Sequence, residues 1–158
     1  MAAWIFQWNP ESFRVDAYLS QGNILRQEIT GTVNQNQCRR EIMVDDEVFI
    51  WRSNGGKPGT GGVVARAAVS GPVELNEDPE PSFWIDKTGA GARYRVRLRV
   101  REVRLSPAEG MILRSEAQAD AGLADLRILR MTQGTNYSLS PAEAQRMRQL
   151  WESRAPHR

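Results

Sequence analysis

The densest run of chemistry-bearing residues is Arg93-Tyr94-Arg95-Val96-Arg97-Leu98-Arg99-Val100-Arg101. At a period of two, its arginines fall on one face of an extended segment, and Tyr94, Val96, Leu98 and Val100 fall on the other. Arginine offers a planar fork of donors that fits phosphate oxygens and base edges. Arg95, Arg97 and Arg99 are therefore candidate phosphate contacts, and Arg39-Arg40 forms a second basic pair. A ladder of like charge repels itself unless partners are near. A phosphate backbone would supply those partners, and acidic residues on adjacent strands would do so equally well. Lys57 and Lys87 are the only lysines. An arginine-rich bacterial composition accounts for that ratio, so the placement of the arginines matters more than their number.

Nucleophilic and metal chemistry is poorly provided for. The only histidine, His157, stands next to the C-terminus, and a Ser-His-Asp or Cys-His site would have to use it. Cys38 precedes Arg39-Arg40, whose charge would lower its pKa, but a lone cysteine is far more often structural. One Cys and one His cannot form a zinc cluster. Asp45, Asp46 and Glu47 have the spacing of a turn before a strand rather than of a calcium or magnesium site. The run Gly55-Gly56-Lys57-Pro58-Gly59-Thr60-Gly61-Gly62 resembles a phosphate loop, yet Pro58 follows Lys57 and the run leads into a β-branched strand. A glycine-rich hairpin loop is the better reading. The acids of residues 74–80 read as a solvated loop. The expectation is a protein with no catalytic residues, no metal and no cofactor.

Aromatic residues gather near turns. Trp4 and Trp8 flank the first strand, Trp51 precedes the glycine loop, and Tyr137 follows Gly134-Thr135-Asn136. Each alone fits a core position with its polar tip satisfied by one partner. Several of them beside Asn, Ser and Thr would make a base-stacking pocket.

These residues need elements to hold them. Trp4-Ile5-Phe6-Gln7-Trp8 reads as a strand that Asn9-Pro10 stops. A short helix is predicted over 15–19, an extended or irregular stretch over 24–33, and a buried strand over 48–51. A second strand over 63–69 completes a hairpin with a long loop. Residues 74–91, acidic and then rich in Pro and Gly, read as a flexible excursion. The longest strand runs over 94–103. Ser106-Pro107-Ala108-Glu109 and Ser140-Pro141-Ala142-Glu143 have the form of capping boxes. A short helical stretch falls within 118–130. The final helix places Ala144, Met147, Leu150 and Trp151 on one face. Short strands with few βα alternations predict a barrel-like α+β domain.

With 158 residues, 41% hydrophobic and 25% charged, the chain fits one globular domain over residues 1–153, with a frayed tail over 154–158. No apolar run is long enough to cross a bilayer. The N-terminal residues lack the features of a signal peptide. A single cysteine excludes an internal disulfide, and the default setting is cytoplasmic.

The segments Trp4-Ile5-Phe6-Gln7-Trp8-Asn9-Pro10, Thr30-Gly31-Thr32-Val33-Asn34, Asp46-Glu47-Val48-Phe49-Ile50-Trp51-Arg52-Ser53, Gly61-Gly62-Val63-Val64-Ala65 and Gly134-Thr135-Asn136-Tyr137 together resemble the EVE domain. This is a member of the PUA-like superfamily, alongside the YTH and ASCH domains. The resemblance spans Trp4 to about Trp151 and rests on the order and spacing of the segments. It implies a bent mixed β-barrel with surrounding helices and a pocket for a base turned out of a nucleic-acid strand. The implied ligand is DNA carrying a modified cytosine, such as 5-methylcytosine or 5-hydroxymethylcytosine. Some members are fused to nucleases, so a nuclease partner or a restriction role is implied as well.

Carried over residue by residue, the resemblance assigns Asn9 to the base edge, with Trp8 beside it. Thr32 and Asn34 line the pocket, Trp51, Arg52 and Ser53 border the ligand, and Gly134, Thr135 and Tyr137 close one side. Many relatives carry a stacking tryptophan in the segment matched by Thr30-Gly31-Thr32, and Gly31 takes its place here. Trp8 or Trp51 would then supply the stacking, the pocket would be widened for a bulkier base, or the role would be lost. Relatives also have Gly-Asp where this chain has Asp45-Asp46. Two other functions remain open: an RNA-binding module of the PUA or YTH type, and a small-molecule or nucleotide-binding regulator.

Overall fold

A computed structural model of the chain describes residues 1–34 and 39–154. The described fold is mixed α+β, with one large sheet and few helices. Its elements, in chain order, are β1 (Ala3–Trp8), α1 (Val15–Leu19), β2 (Glu28–Thr32), β3 (Glu47–Arg52), β4 (Gly62–Val69), β5 (Glu74–Asn76), β6 (Arg93–Val103), β7 (Ile112–Leu113), α2 (Arg114–Ala119), α3 (Arg127–Arg130), β8 (Asn136–Leu139) and α4 (Pro141–Ser153). The main path through the sheet is β2-β6-β4-β3-β1-β8, with β5 added to β6 and β7 to β4. Pairing is antiparallel except between β1 and β3.

Among the described residues the backbone ladders do not close into the expected barrel. Its two edge strands instead approach one another at one end, where the side chain of Asn136 spans them. The Asn136 amide donates to the Thr32 carbonyl at 3.1 Å, and its Oδ1 accepts from the Asn34 backbone N–H at 2.7 Å. A side-chain amide thus imitates one rung of a ladder.

Strand alternation divides the core in two. In the β1–β3 register, Trp4 pairs with Val48 and Phe6 with Ile50, and all four enter the larger cluster with Leu98, Val100 and Tyr18. Ile5 pairs with Phe49 and Gln7 with Trp51; Ile5, Phe49 and Trp51 enter a second cluster beneath α4 with Met147, Leu150 and Trp151. The helix is started by the expected capping box: Ser140 Oγ accepts from the Glu143 N–H at 3.1 Å, and Glu143 accepts from the Ser140 N–H at 2.9 Å. Ser106 likewise starts a short 3-10 turn, Pro107–Glu109, but there the Glu109 carboxylate reaches the Leu105 N–H instead.

The hairpin, the long strand and the helix at 15–19 lie where the sequence predicts them. The segment over 74–91 does not follow expectation. It forms β5 and two 3-10 turns, Pro81–Phe83 and Lys87–Ala90, and folds back over the outer face of β2 and β6. Asp45 stands in the left-handed region at φ 75°, the conformation that glycine takes at no cost, so it bears a little backbone strain. Of the tail predicted over 154–158, only Arg154 is described, and it pairs with Glu116. Cys38 and His157 lie outside the described residues.

Candidate nucleic-acid interface

At the C-terminal end of β1 a cleft of about 140 Å³ opens to solvent, lined by Trp8, Asn9, Thr30, Thr32, Trp84 and Arg95 among others. The strand ends there because Pro10 removes the next backbone donor. The chain then turns through Asn9, whose carbonyl accepts from the Ser12 and Phe13 N–H groups at 3.0 Å. Asn9 Oδ1 accepts from the Glu11 N–H at 2.9 Å, while its Nδ2 has no partner among the described residues. Trp8 is buried on one side by edge contacts to Phe13 and Tyr18, with ring centroids 5.6 and 5.9 Å away.

The second aromatic wall is Trp84, from the segment over 74–91. Its Nε1 donates to Asp78 Oδ2 at 2.6 Å, and Phe13 packs edge-on at 4.8 Å. Gly89 lies directly against the indole; a Cβ there would come within 2.2 Å of the ring, so only glycine permits this packing. The Arg93 and Arg95 guanidinium groups each lie 5.9 Å from the ring centroid.

Arg95 holds the segment in place. It is 3% exposed. It donates to the carbonyls of Asn76, Gly89 and Gly91 at 3.0, 2.7 and 2.7 Å and to Thr32 Oγ1 at 3.3 Å, and it faces Asp78 at 3.7 Å. Burial pulls its pKa below the usual arginine value, against the opposing charge of Asp78. Behind the cleft, burial and then the Glu80 carboxylate push the Tyr18 hydroxyl well above the ordinary tyrosine range, so it stays a neutral donor. Thr30 Oγ1 is buried without a hydrogen-bond partner among the described residues.

Four of the sequence-predicted pocket residues meet at this cleft: Trp8, Asn9, Thr32 and Thr135. Thr135 is set at the rim by Gln7, whose backbone N–H donates to the Thr135 carbonyl and whose amide donates to the carbonyls of Thr132 and Gly134. Ser53 stands just behind, its N–H donating to the Trp8 carbonyl at 3.0 Å. The others point elsewhere. Trp51 is fully buried on the opposite face of the sheet, because the register pairs it with Gln7 and not with Trp8. Arg52 is buried against Asp16 at 2.8 Å and donates to the Thr60 carbonyl. Gly134 and Tyr137 line a separate depression with Arg127 and Met131, where the Tyr137 hydroxyl accepts from the Gly134 N–H at 2.7 Å. Asn34 is exposed and lies at the Asn136 clip. A Cβ on Gly31 would meet Phe6 and Leu98 at 3.0 and 3.1 Å, so a side chain there would enter the core and not the cleft.

The arginine ladder is also divided. Arg95 is a buried strut rather than an open phosphate contact. Arg97 is exposed and faces Glu74 at 3.7 Å, and Arg99 is exposed opposite Glu28. Arg39 lies over the Tyr94 ring at 4.7 Å, and Arg40 is exposed. Arg93 opens the alternating run of β6, whereas Trp84 and Asp78 are not singled out by pattern, because they sit in a stretch with no periodicity. Its one usable signal was a lone tryptophan between prolines and glycines.

Among the described residues, no group of His, Cys, Asp or Glu gathers where it could hold a metal ion. Asp46 is instead occupied by Trp4 Nε1 and the Ala2 and Met43 N–H groups, and Glu47 by Arg66 and Arg148. No helix of the described residues is long and apolar enough to cross a membrane.

Solved structures share this architecture over nearly their whole length. Human THYN1, determined in complex with DNA containing 5-methylcytosine, matches with a TM-score of 0.67 at 14% identity, covering 96% of this chain and 98% of that one. Rpa0253 from Rhodopseudomonas palustris matches at 0.65 and 16% identity over 99% and 97%. A protein from Pseudomonas putida matches at 0.66 and 20% identity over 95% and 99%. Comparison with curated protein sequences gives no match. The EVE domain family model matches residues 2–150, and the chain belongs to that family.

Proposed function

We propose that this chain is a nucleic-acid reader that receives one flipped, modified base, a modified cytosine in DNA, in the cleft between Trp8 and Trp84. The observation that carries the reading is the pair of tryptophans, Trp8 and Trp84, at one small opening that Asn9, Thr32 and Thr135 also line. The cleft is well below the ~300–1,000 Å³ of drug-sized ligand pockets, which suits a single base. Flipping costs a few kcal/mol. Stacking repays ~1–3 kcal/mol per base, and a paired base edge adds more. Arg93 at the rim and Arg97 and Arg99 along β6 supply charge for the flanking phosphates, which position the strand without reading its sequence. The THYN1 complex with methylated DNA, on the same fold, supports this reading.

In this account the protein contributes targeting, and any cleavage belongs to a partner or a fused nuclease domain. The backbone cradle acts as an incomplete barrel whose open edges are clipped by Asn136. The test is a gel-shift titration of matched duplexes with plain, methylated and hydroxymethylated cytosine at several salt concentrations. A modified duplex is expected to bind more tightly at every salt. Equal affinities for all three would dismiss the reading, and a preference for single-stranded RNA in direct competition would replace it with RNA recognition.

A further inference from the structure

β1 and β3 run parallel, with Trp8 opposite Arg52, so the glycine-rich loop that follows β3 leaves the sheet at the same end at which the cleft opens. The loop is braced against that end. The Ser53 N–H donates to the Trp8 carbonyl at 3.0 Å, Asn54 Oδ1 accepts from the Gly61 N–H at 2.7 Å, and Thr60 Oγ1 donates to the Lys57 carbonyl at 2.7 Å. Gly55, at φ 56°, lies so close to Pro10 that a Cβ there would come within 2.6 Å of the proline ring. Gly56, Lys57, Pro58 and Gly59 form the exposed tip. Between this loop and α1 runs a groove of about 480 Å³, which shares Phe13 with the cleft. Its charged lining is Arg14, Asp16, Arg52 and Lys57. Asp16 and Arg52 pair with each other at 2.8 Å, while the exposed Arg14 and Lys57 have no side-chain partner among the described residues. Glu11 lies against Gly56 but lines neither space.

We propose that this groove carries the sugar-phosphate backbone next to the flipped nucleotide, with Lys57 and Arg14 on its phosphates. The proposal rests on the flipped-base reading above. It adds a second contact surface, on the loop after β3 and the start of α1 rather than on β6. A strand with one nucleotide in the cleft continues from the mouth in two directions, so one basic surface does not serve both flanks. The β6 arginines are also partly neutralised: Arg97 faces Glu74 at 3.7 Å, and Arg99 lies opposite Glu28. Lys57 and Arg14 give up no ion pair to take a phosphate. An ammonium and a guanidinium are the two side-chain groups best suited to that ligand. A net positive groove with apolar walls, here Phe13, Val15 and Leu105, focuses its field on an anion. Continuity with the cleft through Phe13 favours nucleic acid over an acidic protein segment as the occupant.

The test compares fluorescence-anisotropy titrations, at several salt concentrations, of one duplex with plain cytosine or 5-methylcytosine, using wild-type protein, Lys57→Gln, Arg14→Gln and Arg101→Gln. Arg101 is an exposed arginine at the other end of the sheet, beside Met1 and Asp45, and controls for net charge. Lys57→Gln and Arg14→Gln are each expected to weaken binding roughly fivefold and to lower the salt slope by about one, for plain and methylated duplexes alike. Arg101→Gln should leave both unchanged. Replacing the phosphates beside the methylcytosine one at a time with neutral methylphosphonates locates the contact: one replacement should weaken binding by wild-type protein and leave Lys57→Gln unaffected. Melting curves establish that the variants fold. Wild-type affinity and slope in both groove variants, an equal loss in Arg101→Gln, or methylphosphonate losses that are the same in Lys57→Gln as in wild type would overturn the groove assignment and leave Lys57 and Arg14 to an acidic protein partner. Equal wild-type binding of plain and methylated duplexes overturns the reader function instead, while the salt slopes still decide the groove, so the two failures are separable.

Discussion

The sheet carries a tryptophan-rich cluster beneath α4 and a tryptophan-walled cleft beneath the segment over 74–91, and the two are built to different rules. Beneath α4 the polar groups of Trp151 itself are matched, although Arg66 Nε nearby has no hydrogen-bond partner among the described residues. Trp151 Nε1 donates to Glu102 at 3.0 Å, and Arg104 lies over its ring at 4.0 Å while donating to the Trp151 carbonyl. At the cleft, Thr30 Oγ1 and Asn9 Nδ2 are left over, and the aromatic rings reach solvent through a shared opening. A region that serves stability satisfies its polar groups internally. A region that receives a ligand, as proposed for the cleft, would leave some for it. The difference separates tryptophans that composition alone treats alike.

The sharpest way to break the comparison is to truncate one tryptophan from each side. Trp51→Ala removes a fully buried side chain and should cost ~3–5 kcal/mol of stability, read as a lower midpoint in urea. Any loss of DNA binding should track the unfolded fraction. Trp84→Ala should do the reverse: a smaller loss of stability, about 1–2 kcal/mol for a half-buried ring, and a loss of ~1–3 kcal/mol in affinity for the modified duplex. If Trp51→Ala weakened binding of the fully folded protein as much as Trp84→Ala does, the two regions would not be functionally distinct.

Gly89→Ala sharpens the same contrast without deleting an aromatic. The added Cβ must displace Trp84, so affinity for the modified duplex should fall roughly tenfold, with an overpacking cost of about 1 kcal/mol in a chemical melt. Arg97→Ala should act more weakly and without regard to sequence: the salt dependence of binding should flatten by about one unit of slope, equally for plain and modified duplexes. The smallest effect lies far from the cleft. The Asp120 carboxyl is held below its usual range by hydrogen bonds from Arg146 at 2.6–3.1 Å. Its contribution is therefore present above the ordinary carboxylate pKa and lost as pH falls through the lowered one. Asp120→Asn should cost under ~1 kcal/mol at neutral pH, and the difference from wild type should vanish in acid.

Much of this architecture was readable from pattern. The hairpin of β3 and β4, the alternation of β6, the capping box of Ser140 and the buried face of α4 are local signals, and local signals are what periodicity and caps report. The site was less readable, for two physical reasons. Trp8 ends β1 and Trp51 is the last residue but one of β3, and only the β1–β3 register decides that one faces the cleft and the other the cluster beneath α4; register between parallel strands is a long-range property. Trp84 lies in a segment whose prolines, glycines and acids read as a loop. Its order comes from tertiary bonds: Arg95 to three carbonyls, Asp78 to the indole, and Gly89 against the ring. The arginine pattern was real, but burial turned Arg95 from a ligand contact into a strut.

The central claim is that one nucleobase leaves the duplex and enters the cleft between Trp8 and Trp84. Placing 2-aminopurine directly beside the modified cytosine reports this, because its fluorescence rises when its neighbour leaves the stack. The account predicts a rise that saturates with wild-type protein and is absent at saturating Trp84→Ala. Saturable binding of the modified duplex by wild-type protein with no change in fluorescence would contradict it.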